Sequence, residues 1–104
     1  MIQIPITNIP NQSLSINYNN VLYDITIKAS LDASLVFFTV LINNVLVING
    51  IRALPDFPVI PAAYLENGNF ILTTMNDEYP RYDQFGVTQF LILASQSEID
   101  AIRG

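Results

Sequence analysis

Apolar and polar residues alternate with a period of two through much of the chain, the pattern of strands that bury one face. Residues 12–18 place Leu14, Ile16 and Tyr18 on one side and Ser13, Ser15 and Asn17 on the other. Asn19-Asn20 follows, a pair that tolerates positive φ and suits a tight turn. Residues 21–28 alternate again, with Tyr23, Ile25 and Ile27 opposed to Asp24, Thr26 and Lys28. Together they predict a β-hairpin with one solvated face.

The next pattern differs. Residues 35–42 are almost continuously apolar, Asn43-Asn44 turns the chain, and residues 45–48 return until Asn49-Gly50 stops them. A helix would hold the asparagine pair in its interior, and the Val, Ile and Phe content disfavours it. The segment predicts a second hairpin, apolar on both faces. Such a hairpin needs a sandwich or barrel-like core, or a covering subunit.

Elsewhere the signals are shorter. Pro5 and Pro10 bracket Ile6 and Ile9, so residues 1–11 read as an extended arm or an edge strand. Pro55, Pro58 and Pro61 stiffen an extended loop, residues 62–65 suit one helical turn, and Asn67-Gly68 marks a turn before a strand at 69–74. A polar and aromatic loop runs from Asn76 to Gly86, and a last apolar strand covers 87–94. Ser95 and Glu98 have capping-box spacing, with Ile99 and Ile102 at helical spacing behind them, so residues 95–104 predict a helical tail. The expected fold is a single all-β domain over residues 1–104. It is a small antiparallel sandwich or barrel-like structure of about six strands, with a short C-terminal helix.

Composition narrows the function. The chain has 104 residues, enough for one core, and only 12% of them are charged, where about 25% is usual. Its net charge is −5; Lys28 is the single lysine, and Arg52, Arg81 and Arg103 are scattered. Without a basic cluster, neither nucleic acid nor anionic lipid is an expected partner. Cysteine and histidine are absent, which removes zinc–thiolate sites, disulfides and the side chain best suited to proton transfer near neutral pH. No leader pattern opens the sequence, and residues 35–48, broken by Thr39 and Asn43-Asn44, fall short of the roughly 18 apolar residues of a spanning helix. No membrane insertion is expected.

The densest polar constellation is the loop from Asn76 to Gly86. Its acids lack the alternation and terminal Glu of an EF-hand, so a structural loop is preferred to a calcium site. In that reading Tyr79 and Tyr82 pack on a sheet edge while Arg81 offsets nearby acids. Paired carboxylates for glycoside hydrolysis cannot be placed, and a serine nucleophile would lack an activating base, because Lys28 sits on a strand face. Phe37, Phe38, Phe70 and Phe90 fall at strand positions and are assigned to the core. Gly50 permits a backbone turn. No catalytic, cofactor-binding or metal-ligating residue is assigned, and no enzyme activity is expected.

Several ordered pieces resemble a known family. Ile4-Pro5-Ile6 and Pro10-Asn11-Gln12-Ser13-Leu14 lead into a hairpin carrying Tyr23-Asp24-Ile25-Thr26-Ile27. Ile48-Asn49-Gly50-Ile51, Asn67-Gly68-Asn69-Phe70 and Arg81-Tyr82-Asp83-Gln84-Phe85-Gly86 follow in order. Over roughly residues 4–93 this resembles the baseplate plug family of bacteriophages with contractile tails. The resemblance implies a structural protein of the virion, made in the host cytoplasm. It implies assembly in several symmetric copies with hub, tube and neighbouring baseplate proteins. It brings no catalytic residue. The arm at 1–10 and the tail after Ser95 are the segments expected to reach neighbours. The competing expectation is a carbohydrate-binding or adhesin-like β-module using Tyr79 and Tyr82.

Overall fold

The computed structural model describes residues 1–30, 35–55, 59–60, 68–75, 78–95, 97–98 and 101. Seven strands run in chain order as β1 (Ile2–Ile4), β2 (Asn11–Tyr18), β3 (Val21–Ala29), β4 (Val36–Ile42), β5 (Val45–Arg52), β6 (Asn69–Thr74) and β7 (Gln89–Ala94). They form two antiparallel sheets, one of four strands in the order β2-β3-β4-β5 and one of three in the order β1-β7-β6. The sandwich alternative therefore holds, and the sheets do not close into a barrel.

Both hairpins of the larger sheet turn on asparagine pairs. Asn19 and Asn20 have φ of 53° and 63°, and Asn43 and Asn44 have 50° and 67°. Two successive left-handed residues make a type I′ turn, whose twist matches that of the flanking strands. The register follows from it, with Tyr18 opposite Val21 and Ile42 opposite Val45. Every alternate side chain of β3 and β4 is thereby aimed inward. Tyr23, Ile25, Ile27, Val36, Phe38, Val40 and Ile42 are buried there.

The smaller sheet supplies the opposite wall of the core with Ile4, Phe70, Leu72, Leu91 and Leu93. Full burial of one such side chain is worth about 1.5–3 kcal/mol. Tyr23 and Phe70 meet across the two sheets edge to face, with ring centroids 5.7 Å apart. The phenolic oxygen of Tyr23 accepts a hydrogen bond from the Gly68 N–H at 2.8 Å. A side chain at Gly68 would drive its Cβ to 2.8 Å from the Ala94 carbonyl oxygen, so only glycine fits.

Four sequence expectations change. The seventh strand is Ile2–Ile4, which takes the edge-strand alternative and pairs with β7. Ile4 is a core residue at 2% exposure, so the first residues of the segment at 1–11 belong to the core, while Pro5 and residues 7–9 are exposed. Pro5, lacking an N–H, ends that pairing. The second hairpin is apolar on both faces only in part, since β4 alternates and most of β5 is exposed. Asn49-Gly50 does not stop β5 either. The strand absorbs that pair as a bulge, with Gly50 at φ 66° and its N–H donating to Thr39 Oγ1 at 3.0 Å, and continues to Arg52. Finally, β7 begins at Gln89 rather than residue 87, because residues 86–88 turn. Residues 62–65 and much of the proline-rich loop lie outside the described residues. Of the C-terminal tail, Ser97, Glu98 and Ala101 are helical and the other positions beyond Ser95 also lie outside them.

Candidate functional site

The polar loop that the sequence singles out is held by one buried side chain. Gln89, fully buried at the start of β7, accepts the Arg81 N–H at 2.8 Å and donates to the Tyr79 carbonyl at 2.9 Å. Its carboxamide thus does what a neighbouring strand would do. A 3-10 turn at Tyr82–Gln84 follows, Phe85 plugs into the core, and Gly86 adopts φ 79° to redirect the chain into β7.

This architecture separates the two tyrosines. Tyr82 is half-buried against the core, whereas Tyr79 is 60% exposed beneath the Arg52 guanidinium, which lies 5.4 Å from the ring centroid. Tyr82 is thus held against the core, while Tyr79 meets edge strand β5 through Arg52 and stays largely exposed. Arg81 does offset an acid: its Nε and a terminal nitrogen each reach an Asp83 oxygen at 3.1 Å. That fork holds the Asp83 carboxyl below its ordinary range. The pair is open to solvent and contributes about 0–1 kcal/mol. The Glu78 carboxylate accepts the Thr88 hydroxyl instead. Among the described residues no three acidic side chains converge; Asn76 and Asp77 lie outside them.

The larger surface is the outer face of the four-stranded sheet, and register divides it. On the β2–β3 half, Ser13 faces Thr26 and Ser15 faces Asp24. Their hydroxyls are tied, Ser13 to Thr26 at 3.1 Å and Ser15 to the Asp24 carboxylate. On the β4–β5 half, Leu41 faces Leu46, and Phe37 lies between Lys28 and Arg52. One half is a hydroxyl lattice; on the other, Phe37 between its two cations and the Leu41–Leu46 pair flank Thr39, which is tied to Asn49 and Gly50. Lys28 is exposed on this face, as its strand position predicts.

Further apolar side chains stand out beyond the sheet. Val45 is 65% exposed and Leu46 55% at the β4–β5 turn; Ile51, Leu54, Met75 and Val87 are exposed elsewhere. The chain ends meet at another node. The Met1 ammonium pairs with Glu98, whose other oxygen accepts the Tyr18 hydroxyl at 3.1 Å and the Ser95 N–H at 2.9 Å. These partners, the ammonium first, lower the Glu98 carboxyl from 4.5 to about 2. Desolvation, followed by the nearby carboxylate, raises the Tyr18 hydroxyl. The two segments expected to reach outward thus contact each other within one chain.

Sequence reasoning missed the paired roles of Gln89 and Asn69. The latter, also fully buried, grips Ile60 through both N–H and C=O at 2.8 Å. The available signal was a carboxamide set at the head of an apolar strand, since a polar residue buried there requires partners.

No curated protein matches the chain. A family model described as cyanophage baseplate Pam3 plug gp18 matches residues 1–96, which includes every strand of both sheets. The chain therefore belongs to this family of phage baseplate plug proteins.

Proposed function

We propose that this protein is a non-enzymatic structural component of the baseplate of a contractile tail, present in several copies and packed against hub, tube and neighbouring baseplate proteins. Membership of a plug family supports the setting. The observation that supports packing is the exposed apolar pair at the β4–β5 turn: Leu46, beside Leu41 on the outer sheet face, and Val45, opposite Ile42 on the other face. Apolar side chains grouped on a weakly charged surface characterise permanent assemblies, which bury large apolar interfaces.

The test is incorporation. Phage carrying Val45→Glu and Leu46→Glu together should yield a folded protein that is lost from purified tails, measured by quantitative mass spectrometry of tail particles. Both positions are exposed, so the fold tolerates the charges. Unchanged stoichiometry in tails would refute a packing role for this turn. The carbohydrate-binding alternative draws no support from residues 78–86, because Tyr82 is committed to the core.

A further inference from the structure

Each sheet edge in this fold is guarded except one. An edge strand offers a row of unpaired N–H and C=O groups, and natural proteins blunt such edges with short strands, proline, charge, bulges or a covering segment. β1 has three residues and is closed by Pro5. The outer edge of β6 is covered, since Val59 N–H donates to the Phe70 carbonyl at 2.9 Å and Asn69 holds Ile60. β5 is broken by two register shifts, carries Gly50 at positive φ and ends in Arg52.

β2 has none of these protections. It runs for eight residues, Asn11–Tyr18, without proline, charge or bulge, in unbroken register with β3. The tight turn makes Tyr18 and Val21 a hydrogen-bonded pair, and the Ala29 N–H to Pro10 carbonyl bond at 2.8 Å continues that phase at the far end. The backbone groups of Gln12, Leu14, Ile16 and Tyr18 therefore face β3. Those of Asn11, Ser13, Ser15 and Asn17 point away from the sheet, and no described residue bonds them. The strand is also held straight at both ends. The Gln12 carboxamide is clamped to the Thr7 N–H and carbonyl at 3.0 and 2.7 Å, and the Tyr18 hydroxyl is fixed by Glu98. Its inward side chains Leu14, Ile16 and Tyr18 are only half-buried, which a further strand would complete.

We propose that the β2 edge is a strand-addition site occupied by β2 of a second copy of this chain, running antiparallel. Despite a net charge of −5, β2 itself is uncharged, so no like charges oppose across the junction. The pattern is self-complementary. With Leu14 opposite Leu14 of the second copy, Ser13 faces Ser15 and Asn11 faces Asn17 on the outer side, while Gln12 faces Ile16 on the inner side. This register uses every outward backbone group of the four odd positions and is isologous, as a twofold pair requires. It joins two four-stranded sheets into one continuous sheet. The inference is independent of the baseplate reading and concerns the purified chain alone.

Edge pairing buries less surface than the roughly 1,200 Å² lower bound of stable complexes, so association is concentration-dependent. Light scattering over a wide concentration range should show mass rising from monomer to dimer and no further. Ser15→Pro removes one outward N–H without touching the β3 ladder, a position where edge strands accept proline. It should leave a monomer at all concentrations. Leu14→Cys places two thiols on facing Cα atoms about 4.5 Å apart, within disulfide reach, in a chain with no other cysteine. Mild oxidation should give a covalent dimer that the added Ser15→Pro change suppresses. A wild-type monomer at every concentration together with no cross-link overturns the proposal. So does a Ser15→Pro variant that dimerises like the wild type.

Discussion

Asn69→Leu removes a carboxamide that is nearly the same size as its replacement but satisfies three backbone groups. In the folded protein, Asn69 Oδ1 accepts the Ile60 and Phe70 N–H groups and Nδ2 donates to the Ile60 carbonyl, each at 2.8 Å. Ile60 is 2% exposed, so water cannot replace the lost partner. An orphaned buried backbone group costs about 1–3 kcal/mol, and both groups of Ile60 together with the Phe70 N–H are orphaned, giving a loss of about 3–9 kcal/mol. Against a total stability of about 5–15 kcal/mol for a domain, that is a large fraction. Urea unfolding followed by circular dichroism should show the midpoint falling with an unchanged slope. Asn69→Asp separates polar satisfaction from shape. Ionised, it buries a charge beside a carbonyl; protonated, its hydroxyl can donate again. Burial raises the carboxyl in the folded state above its unfolded value, so the variant binds more protons when folded and gains stability as pH falls through that raised value. A loss below about 1 kcal/mol for Asn69→Leu would refute the idea that this side chain substitutes for a strand.

Other perturbations test neighbouring links. Gln89→Leu should cost less, about 0.5–1.5 kcal/mol per hydrogen bond, because its partners Arg81 and Tyr79 are exposed residues that water can reach, and should add to the Asn69 effect, because the two lie about 16 Å apart along the smaller sheet. Non-additive double-mutant unfolding would count against independent latches. Tyr23→Phe keeps the edge-to-face contact with Phe70 but leaves the buried Gly68 N–H unpaired, costing about 1–3 kcal/mol by thermal unfolding. Asn20→Gly should be neutral or stabilising by up to about 1 kcal/mol, whereas Asn43→Ala should destabilise through left-handed strain of about 1–2 kcal/mol and loss of the Leu22 N–H bond. For Glu98, the folded carboxyl at about 2 lies below its ordinary 4.5, so its contribution is complete above 4.5 and is lost as pH falls toward 2. Side-chain NMR titration should place its midpoint near the lower value, and acetylating the Met1 amine should move it back up.

How much of this was legible depended on range. The two asparagine turns and the alternation of residues 12–28 are short-range signals: turn chemistry sets the twist, and a period of two sets the buried face, so the first hairpin follows from sequence. The apolar run 35–42 was legible as a strand but not as alternating, since Phe37 and Leu41 are as apolar as the core residues between them. Their outward placement follows from pairing with Lys28 and Arg52 on one side and with Asp24 and Leu46 on the other. The loop at 76–86 drew attention for its charges, yet its geometry comes from Gln89, whose role no local pattern announces.

Sequence alone therefore determined a sparsely charged β domain without histidine or cysteine, its first hairpin and the order of segments that marks a plug family. These depend on residue type, turn propensity and period, which are local. Tertiary structure decided that Ile2–Ile4 is a core strand on β7, that two buried carboxamides hold loops in place of strands, and that β2 is the edge left without protection. Each of these depends on which distant segments share hydrogen bonds. An N–H or C=O is the same group in every residue, so its partner is set by the packing of the two sheets.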